Sequence, residues 1–223
     1  MPPAPAVKSS RAPVRSTYRH GDLRRALLEA GVELARLGGP DAVVLREATR
    51  RAGVVPNAAY RHFAGREDLL EAVRAAALSS LAVAMEGELA RVPPARPGRG
   101  GRPGSDFARA SLRAVGAGYL KFALAQTGLF RTAFSVPASP EDRDPAKGGS
   151  SGLNPFQLLS AALDLMVESG ALPQERRPGA EFLAWSAVHG FAVLLIEGPL
   201  KDFGSKQATA LGQRLLDMVE KGL

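Results

Sequence analysis

The side chains with recognisable chemistry in this 223-residue chain gather in residues 45–63, LREATRRAGVVPNAAYRHF. Carried on to residue 66, the stretch holds five arginines (Arg46, Arg50, Arg51, Arg61 and Arg66) against one acid, Glu47. A guanidinium fork matches phosphate oxygens and the guanine edge, and the Asn57 amide carries the donor and acceptor that match adenine. Catalytic chemistry is poorly supplied by comparison. There is no cysteine, there are three histidines (His20, His62 and His189), and no Glu-x-x-His pair or phosphate-cradling glycine loop occurs. Thiolate nucleophiles, sulfur-bound zinc, di-iron carboxylate sites and nucleotide loops therefore lack their residues. The expectation is a binding protein, not an enzyme, with no cofactor and no metal.

Those side chains need two short helices to present them. Residues 45–52 suit a first, with Leu45, Ala48 and Ala52 inward and Gly53 as its left-handed stop. Pro56 suits the first turn of a second, where its missing N–H leaves nothing unpaired. Ala48 and Ala52 are small enough for the helices to cross closely, Val54 fills the corner, and Ala59 with Phe63 faces the core. Pro56, Asn57, Ala58, Arg61 and His62 are left outward. This pattern is a helix-turn-helix, which lays its second helix in the DNA major groove.

Around it, Leu23, Leu27, Ala30, Leu34 and Leu37 recur in steps of four and three as one face of a preceding helix, and a long helix is expected from Glu67 to about Ala90. Residues 91–105 hold four Pro, four Gly and four Arg and read as a flexible basic linker. Beyond it helices are expected at 107–126, 128–134, 155–169, 179–197 and 205–221, with 136–152 flexible. The chain is expected to be all-α with about nine helices. Residues 182–196 are the most apolar run but are too short and too closely flanked by Glu181 and Glu197 to span a bilayer, so a cytoplasmic location follows.

The net charge of +7 is uneven: residues 1–105 carry 17 basic and 10 acidic side chains, residues 106–223 carry 12 of each. Much of the excess lies in residues 1–19 and 91–105, with four basic and no acidic side chains each. Residues 1–19 read as a disordered basic arm, either wrapping a minor groove or serving only as a solubilising tail.

Residues 20–81 resemble the DNA-binding domain of the TetR family of bacterial regulators, through HGDLRRALLEAGVELA, LREATRRAGV and AAYRHFAGREDLL in order. The later AWSAVHGFAVLLIEG is similar to a subgroup named for its Trp, His and Gly, here Trp185, His189 and Gly190. The resemblance implies a helix-turn-helix at 44–63 and a ligand-binding and dimerisation domain at 82–223. It implies that Arg46 reaches a base or phosphate, that Asn57, Ala58 and Arg61 face base edges, with Pro56 and Ala58 offering apolar contact to thymine methyls, and that Tyr60, His62 and Arg66 meet phosphates. Tyr60 has the alternative of a core aromatic. Val55 stands where the family often has Ser or Thr, and the missing cap costs about 1 kcal/mol unless Pro56 offsets it.

For the second half the resemblance implies a homodimer through the last two helices and a pocket for a small effector. The pocket is expected among Tyr119, Phe122, Phe130, Phe134 and Met166, with Trp185 and His189 as further candidates. His189 is alternatively structural, and Trp185 belongs to the core, the pocket or the dimer. Few charges map there, so an apolar or weakly polar effector is expected. The function implied is a repressor on a pseudo-palindromic double-stranded DNA operator. The competing reading is a sequence-tolerant architectural DNA-binding protein, in which arm and linker dominate.

Overall fold

A computed structural model describes residues 20–94, 104–137, 139 and 142–223, with side chains placed from residue 23. The expected basic arm and most of the expected linker, residues 95–103, lie outside the described residues. Among the described residues there are nine α-helices and no strand. They are α1 (His20–Gly38), α2 (Leu45–Ala52), α3 (Pro56–Ala59), α4 (Arg66–Leu89), α5 (Ser105–Ala125), α6 (Thr127–Ala133), α7 (Pro155–Glu168), α8 (Ala180–Ile196) and α9 (Ser205–Gly222). Among the described residues no helix is long and apolar enough to cross a membrane.

The first three helices pack with the start of α4 around Leu27, Val43, Ala48, Phe63 and Leu69. The face of α1 that does this is Leu27, Gly31, Leu34 and Ala35. Leu37, expected on that face, is 73% exposed. At about 100° per residue it has turned roughly a quarter of the way round the helix from the buried stripe.

α4 leaves this small domain and runs into the larger one, where Leu81 and Met85 join Val115 and Tyr119 of α5 in the core. A second junction lies between α1 and α6. Arg36 Nε donates to Gln126 Oε1 at 2.9 Å, and a methyl on Gly128 would run into the Ala35 and Arg36 carbonyls. The close backbone contact needs glycine there. The two domains are thus joined by one continuous helix and one tight contact.

Of the stretch 136–152 expected to be flexible, residues 138, 140 and 141 lie outside the described residues, and residues 142–152 are held by specific contacts. Pro145–Lys147 form a 3-10 helix, and Lys147 is buried with its ammonium 2.6 Å from Asp142 and 3.5 Å from Glu71 on α4. Ser79 donates to the Gly148 carbonyl at 2.6 Å, while Glu86 accepts from the backbone of Ser150 and Ser151 and from the Ser151 hydroxyl. Burial opposes ionisation of Glu86, yet these hydrogen bonds hold its pKa below the ordinary carboxylate value. The loop's polar groups are satisfied by α4, a partnership that local composition does not reveal.

Candidate nucleic-acid interface and internal cavity

The turn of the helix-turn-helix follows from its residue types. Gly53 is left-handed (φ 69°, ψ 28°) and its N–H closes on the Arg50 carbonyl at 3.3 Å, with Val54 N–H on Thr49 at 3.0 Å. Val55 is extended and makes no side-chain cap, and Pro56 opens α3. α3 ends at Ala59, earlier than the sequence suggests. Tyr60 stays in the right-handed helical region, and the His62 and Phe63 N–H groups both reach the Ala59 carbonyl, at 2.9 and 3.0 Å. Arg61 and His62 are therefore carried on a turn that extends the helix.

Ala59 and Phe63 are fully buried, and the Arg24 guanidinium lies 5.0 Å over the Phe63 ring. With that side anchored, Pro56, Asn57, Tyr60 and Arg61 are exposed, while Ala58 and His62 are half-buried. Tyr60, at 60% exposed, is no core aromatic. Arg46 on α2 is exposed and shares a shallow depression with Pro56.

The five arginines differ in what they already hold. Arg50 donates twice to Glu47, at 2.8 and 2.6 Å, and Arg51 once at 3.3 Å. The Arg50 hydrogen bond is the main reason Glu47 falls to a pKa of about 2. Arg66 reaches back to the Pro40 carbonyl at 3.0 Å and to Glu67 at 2.7 Å, so it braces the start of α4 instead of projecting freely. Arg46 and Arg61 have no side-chain partner among the described residues.

The larger domain holds a partly open cavity of about 470 Å³ between α4, α5, α7, α8 and α9. Of the expected lining residues, Tyr119, Phe134, Trp185 and His189 do line it. Phe122, Phe130 and Met166 do not; all three are buried in the core, Phe130 edge-on to Tyr119 at 5.7 Å as a backing layer. Phe156, which the sequence reading missed, completes the wall 6.1 Å from the Trp185 ring. Its signal was the Asn154–Pro155 helix start: Asn154 and Gln157 form a capping box that fixes the first turn of α7.

Three polar groups meet in this apolar wall. Trp185 Nε1 lies 3.3 Å from the Tyr119 hydroxyl, and that hydroxyl lies 2.7 Å from His189 Nδ1. Burial pushes the Tyr119 phenol above its ordinary pKa and the His189 imidazole below its own. Tyrosine therefore keeps its proton and histidine is neutral at pH 7. Indole N–H only donates, so Tyr119 accepts from Trp185; the buried Tyr119 O–H has no acceptor but His189 Nδ1 among the described residues, so the arrangement that satisfies it has Tyr119 donating to Nδ1 and the His189 proton on Nε2. The charges at the wall are paired: Arg113 with Asp217 and Glu220, and Lys147 with Asp142.

The family described as "Bacterial regulatory proteins, tetR family" matches residues 27–73, and "Tetracyclin repressor-like, C-terminal domain" matches residues 112–219. Among solved structures, a protein of unknown function from Rhodococcus sp. RHA1 is similar at 25% identity and a TM-score of 0.69, over 94% of this chain and 99% of its own. The TetR family transcriptional regulator PfmR from Thermus thermophilus is similar at 20% identity and a TM-score of 0.54, over 93% and 98%. The transcriptional regulator FadR from Bacillus subtilis, in complex with stearoyl-CoA, shares the fold at 13% identity and a TM-score of 0.59, over 89% and 98%. No curated protein matches. With a helix-turn-helix anchored on Phe63 at one end and a tetracycline-repressor-like helical domain at the other, the chain belongs to the TetR family of DNA-binding transcriptional regulators.

Proposed function

We propose that the protein is a cytoplasmic repressor that binds a pseudo-palindromic operator as a homodimer and is released by a small apolar effector. One observation carries the DNA reading: Arg46, Asn57 and Arg61 are all exposed on the helix-turn-helix, and the two arginines of this set are unpartnered among the described residues. Arg46, Asn57 and Arg61 read base edges, Pro56 and Ala58 offer apolar contact to thymine methyls, and Tyr60 and His62 meet phosphates. Arg66 contributes to the phosphate surface from its braced position.

The dimer reading rests on α8 and α9. α8 is apolar on its outer face as well, with Phe182, Leu183, Val193 and Leu194 exposed, and Met218 of α9 is 60% exposed. A helix apolar all round needs cover on both sides. In α9 the inward residues are Ala208, Gly212 and Leu216, which leaves Leu211, Leu215 and Met218 toward the edge a second copy would cover. Trp185, His189 and Gly190 support assignment of the domain to the Trp-His-Gly subgroup, with the first two in the cavity.

Selection of bound sites from random DNA tests the reading. A palindrome bound orders of magnitude tighter than random DNA at equal salt is expected; no palindrome, with a steep salt slope on every sequence, would instead establish the architectural protein.

A further inference from the structure

The polar chain in the cavity wall has a direction, and the direction constrains what the cavity accepts. Trp185 donates to Tyr119, Tyr119 donates to His189 Nδ1, and the remaining polar atom is His189 Nε2 with its proton. His189 lines the cavity, and Nε2 has no partner among the described residues. Around the imidazole are aromatic rings, with centroids at 4.8 Å (Phe134), 5.5 Å (Phe130) and 5.8 Å (Trp185) from that of His189. The cationic side chains that reach the cavity, Arg113 and Lys147, are already held by carboxylates.

We propose that the cavity selects a neutral, predominantly apolar molecule with one hydrogen-bond acceptor, a ketone, ester, lactone or amide carbonyl, received by His189 Nε2–H. This inference rests on reading the cavity as the effector site and names the chemical class it takes. An ammonium group would meet a donor where it needs an acceptor. A carboxylate would meet no uncompensated cation unless the imidazole took a second proton, against the burial that disfavours it. That second proton would sit on Nδ1 and break the existing order, since Tyr119 would then have to accept from both neighbours. A ketone requires no rearrangement.

The chain has a single tryptophan, Trp185, so its emission reports on this site alone. The test titrates the full-length protein at pH 7.5 with 2-undecanone, undecanoate and undecylammonium, which share a body and differ in the head. Saturable change in Trp185 emission with 2-undecanone, at least tenfold tighter than with either charged probe, is expected. Equal or tighter binding of undecanoate or undecylammonium overturns the proposal, as does the absence of binding by the ketone. His189→Phe should abolish the ketone preference, and His189→Gln, which keeps an N–H near the Nε2 position, should restore part of it; a preference unchanged in His189→Phe also overturns it. Should His189→Phe fail to fold, the comparison of head groups on the unaltered protein decides alone. Repeating the titration on the protein bound to its selected DNA separates the two readings. Ketone preference without DNA release leaves the ligand class standing and removes the effector role.

Discussion

The cations of the two domains are the same residue types in opposite situations. In the larger domain Arg113 and Lys147 stand at the cavity wall with carboxylates against them, and Lys147 is buried. In the helix-turn-helix Arg46 and Arg61 stand exposed with no internal partner among the described residues, although Arg50 and Arg51 beside them share Glu47 as a partner. A guanidinium or ammonium with its carboxylate in place holds structure together, and one without is left to recognise something outside. The contrast teaches that the number of arginines in the motif overstates the recognition surface, which comes down to the two that nothing else uses.

The strongest way to break this comparison is to remove the unpartnered cations. Arg46→Ala and Arg61→Ala should each relax discrimination at a defined operator position by about 1 to 3 kcal/mol, with unchanged melting temperature. Competition binding against single-base operator variants reads this out, and equal weakening on every sequence would return both residues to phosphate contact. Asp142→Ala acts at the opposite pole. It deprives the buried Lys147 of its nearer carboxylate and should lower stability by about 2 kcal/mol in chemical denaturation, with operator preference unaltered.

A smaller effect sharpens the boundary between the two classes. Because Glu47 has a pKa of about 2, it stays ionised and paired with Arg50 and Arg51 at any working pH. Glu47→Gln should release both arginines, steepening the salt dependence of binding to random DNA by about two counterions while the palindrome preferred in selection stays the same. An unchanged salt slope would show that Arg50 and Arg51 face away from the duplex.

The smallest effect is the pH response of the cavity. His189 is depressed below its ordinary 6.5 by burial, so well above pH 6.5 it is neutral whether folded or unfolded and adds no pH dependence. As the pH falls from 6.5 through the lower folded value, the unfolded chain takes its proton first, and stability is lost over that window. Thermal melts between pH 7.5 and 5 should show a shallower decline in His189→Gln than in the unaltered protein; parallel curves would mean that His189 is solvated.

What was legible in the sequence divides along the same line. The helix-turn-helix was nearly complete because its determinants are local: Gly53 and Pro56 punctuate it, and Ala59 and Phe63 define its buried side within one turn. The cavity was half legible. Tyr119, Phe134, Trp185 and His189 line it as expected, but an aromatic on an apolar helix face shows only that it is buried, not which void it borders. That is why Phe130 proved a backing residue, Phe122 and Met166 core, and Phe156 a wall. Residues 142–152 misled for the same reason, since their order comes from Glu71, Ser79 and Glu86, more than sixty residues upstream.

By itself the sequence determined the all-α class, the motif that reads DNA and the family, because periodicity, turn residues and charge imbalance act within a few residues of one another. Only the tertiary structure decided that Arg66 is braced against the Pro40 carbonyl and that Trp185, Tyr119 and His189 meet in one hydrogen-bonded chain. Both depend on distances between groups on different helices or turns, set when the helices pack.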